Sequence, residues 1–137
     1  MPMLNQSQQE VKISGKVVVV EDDELMRGLI VEIFTDLGAS CISFITADDA
    51  MVHLLQCKAH CTLLITDYTL PGQLDGKELA LLVHQKWPVV PVIVTTGYGM
   101  EVSEGLPEGI AFLRKPWSIE TLVEKVRTMI AVRKIRC

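Results

Sequence analysis

Four short stretches of this chain hold side chains that could do chemistry: Glu21-Asp22-Asp23-Glu24, Asp67, Thr95-Thr96 and Lys115-Pro116. Each sits at the end of a short apolar run of the kind that forms a buried strand. Acids gathered at one edge repel one another unless a cation sits among them. Hard oxygen donors with few protein contacts suit Mg2+, which keeps waters and shares a substrate phosphate. A lysine ammonium and a threonine hydroxyl opposite would neutralise and hydrogen-bond phosphoryl oxygens. A carboxylate in such a place can take a phosphoryl group as an acyl phosphate. The chemistry the set describes is phosphoryl transfer to Asp67. Each piece alone has a plainer use. Acids before a helix cap it, a lone aspartate ends a turn, threonine favours strands and a lone lysine faces solvent. The conjunction carries the reading.

The elements that must position these groups alternate between two patterns. Lys16–Val20 is apolar at nearly every position, as a strand buried on both faces must be. Asp23–Leu37 carries Leu25, Leu29, Ile30, Ile33, Phe34 and Leu37 at helical spacing, with Gly38 as its stop. The pattern continues with a strand over Cys41–Ile45, a helix over Ala47–Cys57 and a strand over Thr62–Thr66. A turn follows over Pro71–Gly76, then a helix over Lys77–Trp87 closed by Pro88, and a strand over Val89–Thr95. Residues 97–109 hold four glycines and Pro107, so any helix there is short or frayed. Ile110–Leu113 reads as a fifth strand and Ser118–Val132 as a fifth helix capped by Ser118. Strands alternating with helices imply right-handed crossovers and a parallel sheet covered on both faces. In such sheets chemistry gathers at the carboxyl ends of the strands.

Composition narrows the function classes. The 137 residues suit one domain, with residues 1–14 expected as a leader, 15–133 as the domain and 134–137 as a short basic tail. Thirteen basic against seventeen acidic residues give a net charge of -4, which argues against nucleic-acid binding. No apolar run is long enough to cross a membrane, and Met1–Gln9 has no signal-peptide core. Cys41, Cys57, Cys61 and Cys137 are too scattered for a disulfide framework and read as reduced thiols of a cytoplasmic protein. Cys57-x3-Cys61 with His53 and His60 fits no common zinc spacing.

Five stretches together carry a family resemblance: residues 17–24, Leu64–Pro71, Asp75-Gly76, Val92–Gly97 and Phe112–Pro116. In that order and spacing, the chain resembles a response-regulator receiver domain of two-component signalling over about residues 15–133. The resemblance implies a flavodoxin-like (βα)5 fold, with a five-stranded parallel sheet in order 2-1-3-4-5 and helices on both faces. It makes Asp67 the phosphoacceptor. Asp22 would coordinate Mg2+ directly and Glu21 directly or through water, with Asp67 and the backbone carbonyl of Thr69 completing the protein ligands. Thr95 and Lys115 would bind the phosphoryl group. Phe112 would be a switch aromatic, and the Lys115–Pro116 bond cis. The donor would be a phosphohistidine on a histidine kinase or histidine phosphotransfer protein. Such a module signals rather than turning over a substrate, catalysing only its own phosphorylation and dephosphorylation. A homodimer would use the 97–133 face.

The chain departs from the common pattern in three ways. Position 21 is Glu where many members have Asp, the loop from Pro71 to Asp75 is one residue longer, and the fourth helix is glycine-rich. Other readings fare worse. A phosphohydrolase of the haloacid-dehalogenase type needs a general acid two residues past its nucleophile, where this chain has Thr69. A flavin carrier needs a phosphate-cradling loop after the first strand, where this chain has four acids. A degenerate receiver that binds partners without phosphate would not need every site position to keep usable chemistry, as they do here.

Overall fold

Valine at four successive positions, 17–20, leaves a strand with no solvent face, and the chain covers both of its sides. The computed structural model describes residues 12–97, Pro107 and residues 109–136, with side chains through Ile130. It contains β1 (Lys16–Val20), β2 (Ser40–Phe44), β3 (Leu63–Asp67), β4 (Val92–Thr96) and β5 (Ile110–Arg114). The described helices are α1 (Glu24–Asp36), α2 (Ala47–Gln56), α3 (Gly76–Lys86) and α4 (Ile119–Arg136). The strands pair in parallel in the order β2-β1-β3-β4-β5 expected from sequence. The expected helix over 97–109 lies largely outside the described residues.

Strand alternation divides the core in two. Val17, Val19, Leu63, Ile65, Ile93 and Leu113 face Ile30, Ile33 and Phe34 of α1 and Leu122, Val123 and Val126 of α4. Val18, Val20, Leu64, Val92 and Val94 face Ala50, Met51 and Leu54 of α2 and Leu79, Ala80 and Val83 of α3. β2, at one edge, is the strand with no fully buried position, its residues exposed or half-buried.

Helix starts are set by side-chain acceptors for otherwise orphaned N–H groups. Asp23 accepts from the Met26 N–H, Thr46 from Asp49, and Ser118 from Thr121, each at 3.1 Å. At α3, Asp75 and Glu78 each accept the other's N–H, a reciprocal capping box.

Three sequence expectations need correction. β4 begins at Val92, not Val89, because Pro88 and Pro91 bracket a turn. The Val90 N–H bonds Trp87 O at 3.0 Å, and Pro91, which has no N–H, offers only its carbonyl to Leu64 at 3.1 Å. Ile13, expected in the leader, is 2% exposed and its N–H bonds Leu37 O at 3.0 Å. The fifth expected helix runs past Val132 through Arg136, since no glycine or proline after Pro116 stops it. The rest of the expected leader, residues 1–11, lies outside the described residues.

The return from β3 to α3 depends on one close approach. The Gly76 N–H bonds Tyr68 O at 2.8 Å, and a Cβ on residue 76 would lie 1.6 Å from Asp67 O. Gly28, mid-α1, has nothing within 4 Å of such a Cβ. Gly76→Ala should therefore lower unfolding free energy by about 3 kcal/mol through forced backbone movement. Gly28→Ala should raise it by about 0.8 kcal/mol through helix propensity. Urea denaturation of both variants checks the contrast.

Candidate functional site

Parallel register brings the strand ends to one edge. Val20 of β1 pairs with Thr66 of β3, and Asp67 with Thr95 of β4. Thr96 pairs with Arg114 of β5, and the Lys115 N–H continues the ladder to Thr96 O at 2.7 Å. Glu21, one residue beyond β1, bonds its N–H to Phe44 O at 3.0 Å. The groups singled out in the sequence thus share the carboxyl edge of the sheet.

Within this edge, one carboxylate oxygen each of Glu21, Asp22 and Asp67 lie within 4.8 Å of one another. Among the described residues this is the group of potential metal ligands that forms; Cys57 and His53 approach at 3.7 Å without gathering a third. Lys115 Nζ donates to Asp67 Oδ2 at 3.2 Å and to Glu21 Oε1 at 3.4 Å. One ammonium thus pairs with two of the three carboxylates, and the cluster keeps negative charge for a hard cation. The oxygen donors present fit Mg2+.

The acidic run after β1 divides its labour. Asp23 and Glu24 serve the N-terminus of α1, as cap and first-turn acid. Glu21 turns inward, 1% exposed, and Asp22 stays exposed. Burial pushes the Glu21 carboxyl up to about 7, and the charge on Asp67 adds to this. The Asp23 N–H, which Glu21 Oε2 accepts at 3.1 Å, and the Lys115 ammonium both oppose the rise. Burial pulls Lys115 the other way, yet Asp67 and Glu21 outweigh it and raise its pKa.

The remaining expected positions are distributed around this cluster. Thr95 is 1% exposed, and its buried hydroxyl finds no partner among the described residues. A buried hydroxyl in that state suits a site where an incoming acceptor completes it. Thr69 lies exposed in the β3–α3 loop, two residues past Asp67. Phe112 is half-buried against the α2–α3 side of the core. The Lys115–Pro116 peptide is cis. Arg27, which sequence reasoning passed over, reaches back from α1 and donates from Nη1 to Glu21 O at 2.9 Å. It fixes the backbone between Glu21 and Asp22. Its six-residue separation from Glu21 fits the start of α1, but nothing in its type distinguishes it from a solvated arginine.

Comparison with known proteins places this geometry in context. The response regulator receiver domain family matches residues 17–127. The chain is 29% identical over 124 residues to the C4-dicarboxylate transport transcriptional regulatory protein DctD of Pseudomonas aeruginosa, covering 88% of this chain and 26% of that one. It is 30% identical over 117 residues to the response regulator protein FleR of the same organism, covering 83% and 24%. It thus spans about a quarter of the length of these curated relatives. A response regulator receiver domain protein from Clostridium thermocellum has a TM-score of 0.81 at 21% identity, with 90% of this chain and 99% of that one covered. NtrX from Brucella abortus in complex with ADP has a TM-score of 0.80 at 24% identity, covering 90% and 29%. At these identities the structural likeness concerns the fold.

A test follows from Glu21. Its carboxyl binds a proton more tightly in the folded chain, near 7, than at its ordinary value of 4.5. The stability this contributes is complete below the ordinary value and is lost as pH rises through the folded one. Metal-free protein should lose melting temperature between about pH 5 and about pH 8, and Glu21→Gln should remove part of that loss. Calorimetry of both proteins across this range checks it; identical slopes would count against the assignment.

Proposed function

The chain belongs to the response regulator receiver domain family, and on that premise we propose that it is a phosphoacceptor module of a two-component phosphorelay. Its donor is a phosphohistidine on a histidine kinase or histidine phosphotransfer protein, and phosphorylation switches its binding to a downstream partner. The module acts in the cytoplasm and turns over no substrate beyond its own phosphoryl group. No helix among the described residues is long and apolar enough to cross a membrane. The observation that carries the reading is the Lys115 ammonium shared between Asp67 and Glu21 beside a Thr95 hydroxyl that has no partner among the described residues.

Asp67 is the acceptor because it is the acid at the end of a central strand with part of its side chain, 12%, open to solvent. One of its carboxylate oxygens forms the new P–O bond as the bond from phosphorus to the donor imidazole nitrogen breaks, the electron pair leaving with that nitrogen. Asp22, Asp67 and the Thr69 carbonyl would hold Mg2+, with Glu21 directly or through water. Mg2+, when bound, screens the negative charge of the acceptor from that of the incoming phosphoryl group. Lys115 holds Asp67 in place before transfer and neutralises phosphoryl charge after it. Thr95 donates its hydroxyl to a phosphoryl oxygen, which draws the end of β4 toward the site. Phe112, three residues before Lys115 on β5, is the aromatic that responds.

A protein donor also needs a place to dock. Beside Lys115 lies an apolar cleft of about 420 Å³, lined by Met26, Leu29, Pro116 and Trp117. Leu25, 86% exposed, stands on the same helix. These features support approach of the donor along α1.

Intact-mass spectrometry after incubation with acetyl phosphate tests the reading. A single added phosphoryl mass should require both Mg2+ and Asp67, and Asp67→Asn should show none while retaining its circular dichroism. Labelling that persists in Asp67→Asn would sink the assignment. Asp22→Ala should weaken Mg2+ binding, and a titration indistinguishable from wild type would refute its role as ligand.

A further inference from the structure

Between Asp67 and α3 the chain makes an exposed loop that carries Thr69, and its apex is held from outside. Asp48, on the first turn of α2, accepts the Gln73 N–H at 3.1 Å and the Leu74 N–H at 3.1 Å through Oδ1. Its Oδ2 also faces the Gln73 N–H, at 3.3 Å. Gly72 permits this approach, since its φ is +103° and a Cβ there would lie 2.7 Å from Asp48 Oδ1. We propose that Asp48 is a positioning residue for the metal-binding loop, latching residues 72–74 so that the Thr69 carbonyl is held toward the acidic cluster. The proposal rests on the metal role assigned to that loop above.

Three of the loop's ties bear on its path, beside the burial of Leu70 in the core. Its entry is set by the Tyr68 N–H on Thr95 O at 2.8 Å, and its exit by the Gly76 N–H on Tyr68 O at 2.8 Å. Asp48 supplies the third, with Leu74 packed on the α2–α3 side of the core. Bonds from backbone N–H groups to a charged carboxylate are among the stronger protein hydrogen bonds. Removing the carboxylate releases the Gln73 and Leu74 N–H groups to solvent and lets the apex sample many positions. Thr69 lies between the entry and that apex, so its carbonyl is held less tightly even though Leu70 beside it stays packed in the α2–α3 side of the core. Groups that orient ligands from behind typically change metal affinity by an order of magnitude. Asp49, adjacent on the same helical turn, provides an internal control, because it shares the charge of Asp48 but makes no hydrogen bond to the loop in the described geometry.

Heteronuclear NMR on the full chain tests the latch with Mg2+ alone as probe. Amide exchange at Gln73 and Leu74 reads the latch without metal, and the amide shifts of Tyr68 and Thr69 on titration read affinity. Asp48→Ala should speed both exchange rates and raise the Mg2+ dissociation constant about tenfold. Asp48→Asn, which keeps an acceptor oxygen, should restore most of both. Asp49→Ala should match wild type. A purely structural role would lower melting temperature and leave Mg2+ affinity within about twofold of wild type, and that result would overturn the proposal. An equal loss of affinity in Asp49→Ala would overturn it too, pointing to helix charge instead. If Asp48→Ala does not fold, Asp48→Ser, which lacks the carboxylate but suits the first turn of a helix, gives the same two readings. Wild type that binds no Mg2+ would overturn the proposed function, a result distinct from unaltered exchange at Gln73 and Leu74 in Asp48→Ala.

Discussion

Carboxylates on neighbouring parallel strands cannot lie within a few ångströms of one another, all ionised, without positive charge between them. The register of β1, β3 and β5 imposes that closeness on Glu21 and Asp67 and supplies Lys115 to answer it. The answer is incomplete. One ammonium pairs with two of the three acids, and Glu21, whose charged form burial already disfavours, rises to about 7 with the charge on Asp67 adding to the rise. Every other feature of the edge serves this tension. Arg27 braces the backbone that presents the first two acids, and Asp23 leaves the cluster to cap α1. The buried Thr95 hydroxyl waits beside it. A cation or an acidic ligand bound here acts on a site already poised by its own charge.

The sheet was legible because its central strands leave little room for another reading. Four valines in a row suit only a strand covered on both faces, and the two faces then sort themselves by alternation. A helix start was legible at Ser118, where the capping chemistry is local, whereas the box that Asp75 and Glu78 form was passed over. Boundaries failed where a local signal was outweighed. Val89 and Val90 look like strand, but the prolines on either side of them commit the segment to a turn. Ile13 looks like part of a polar leader, yet one apolar side chain finds a place in the core beside Leu37.

The candidate site was legible as a set of residue types at strand ends, and less so in its internal arrangement. Nothing in the run Glu21-Asp22-Asp23-Glu24 says which acid is buried, which is exposed and which caps the helix. That division depends on the angle at which the chain leaves β1. Arg27 and Asp48 were passed over for a related reason. Their partners are backbone atoms, which carry no sequence signature, and those of Asp48 are 25 and 26 positions away. Side-chain-to-backbone ties across such distances become visible only when the loop is folded.

Glu21 and Lys115 are separated by 94 positions, and Asp67 and Lys115 by 48. The contacts at the acidic edge are therefore among the least local in the molecule, and loop-closure entropy disfavours them until the sheet around them exists. A chain still emerging from synthesis, or one whose β5 has detached, has the acids without the ammonium that holds them together. Assembly of the edge is in this sense a proofreading of the fold. Any ligand that needs all of these groups at once is offered its site by the finished domain and withheld from its fragments.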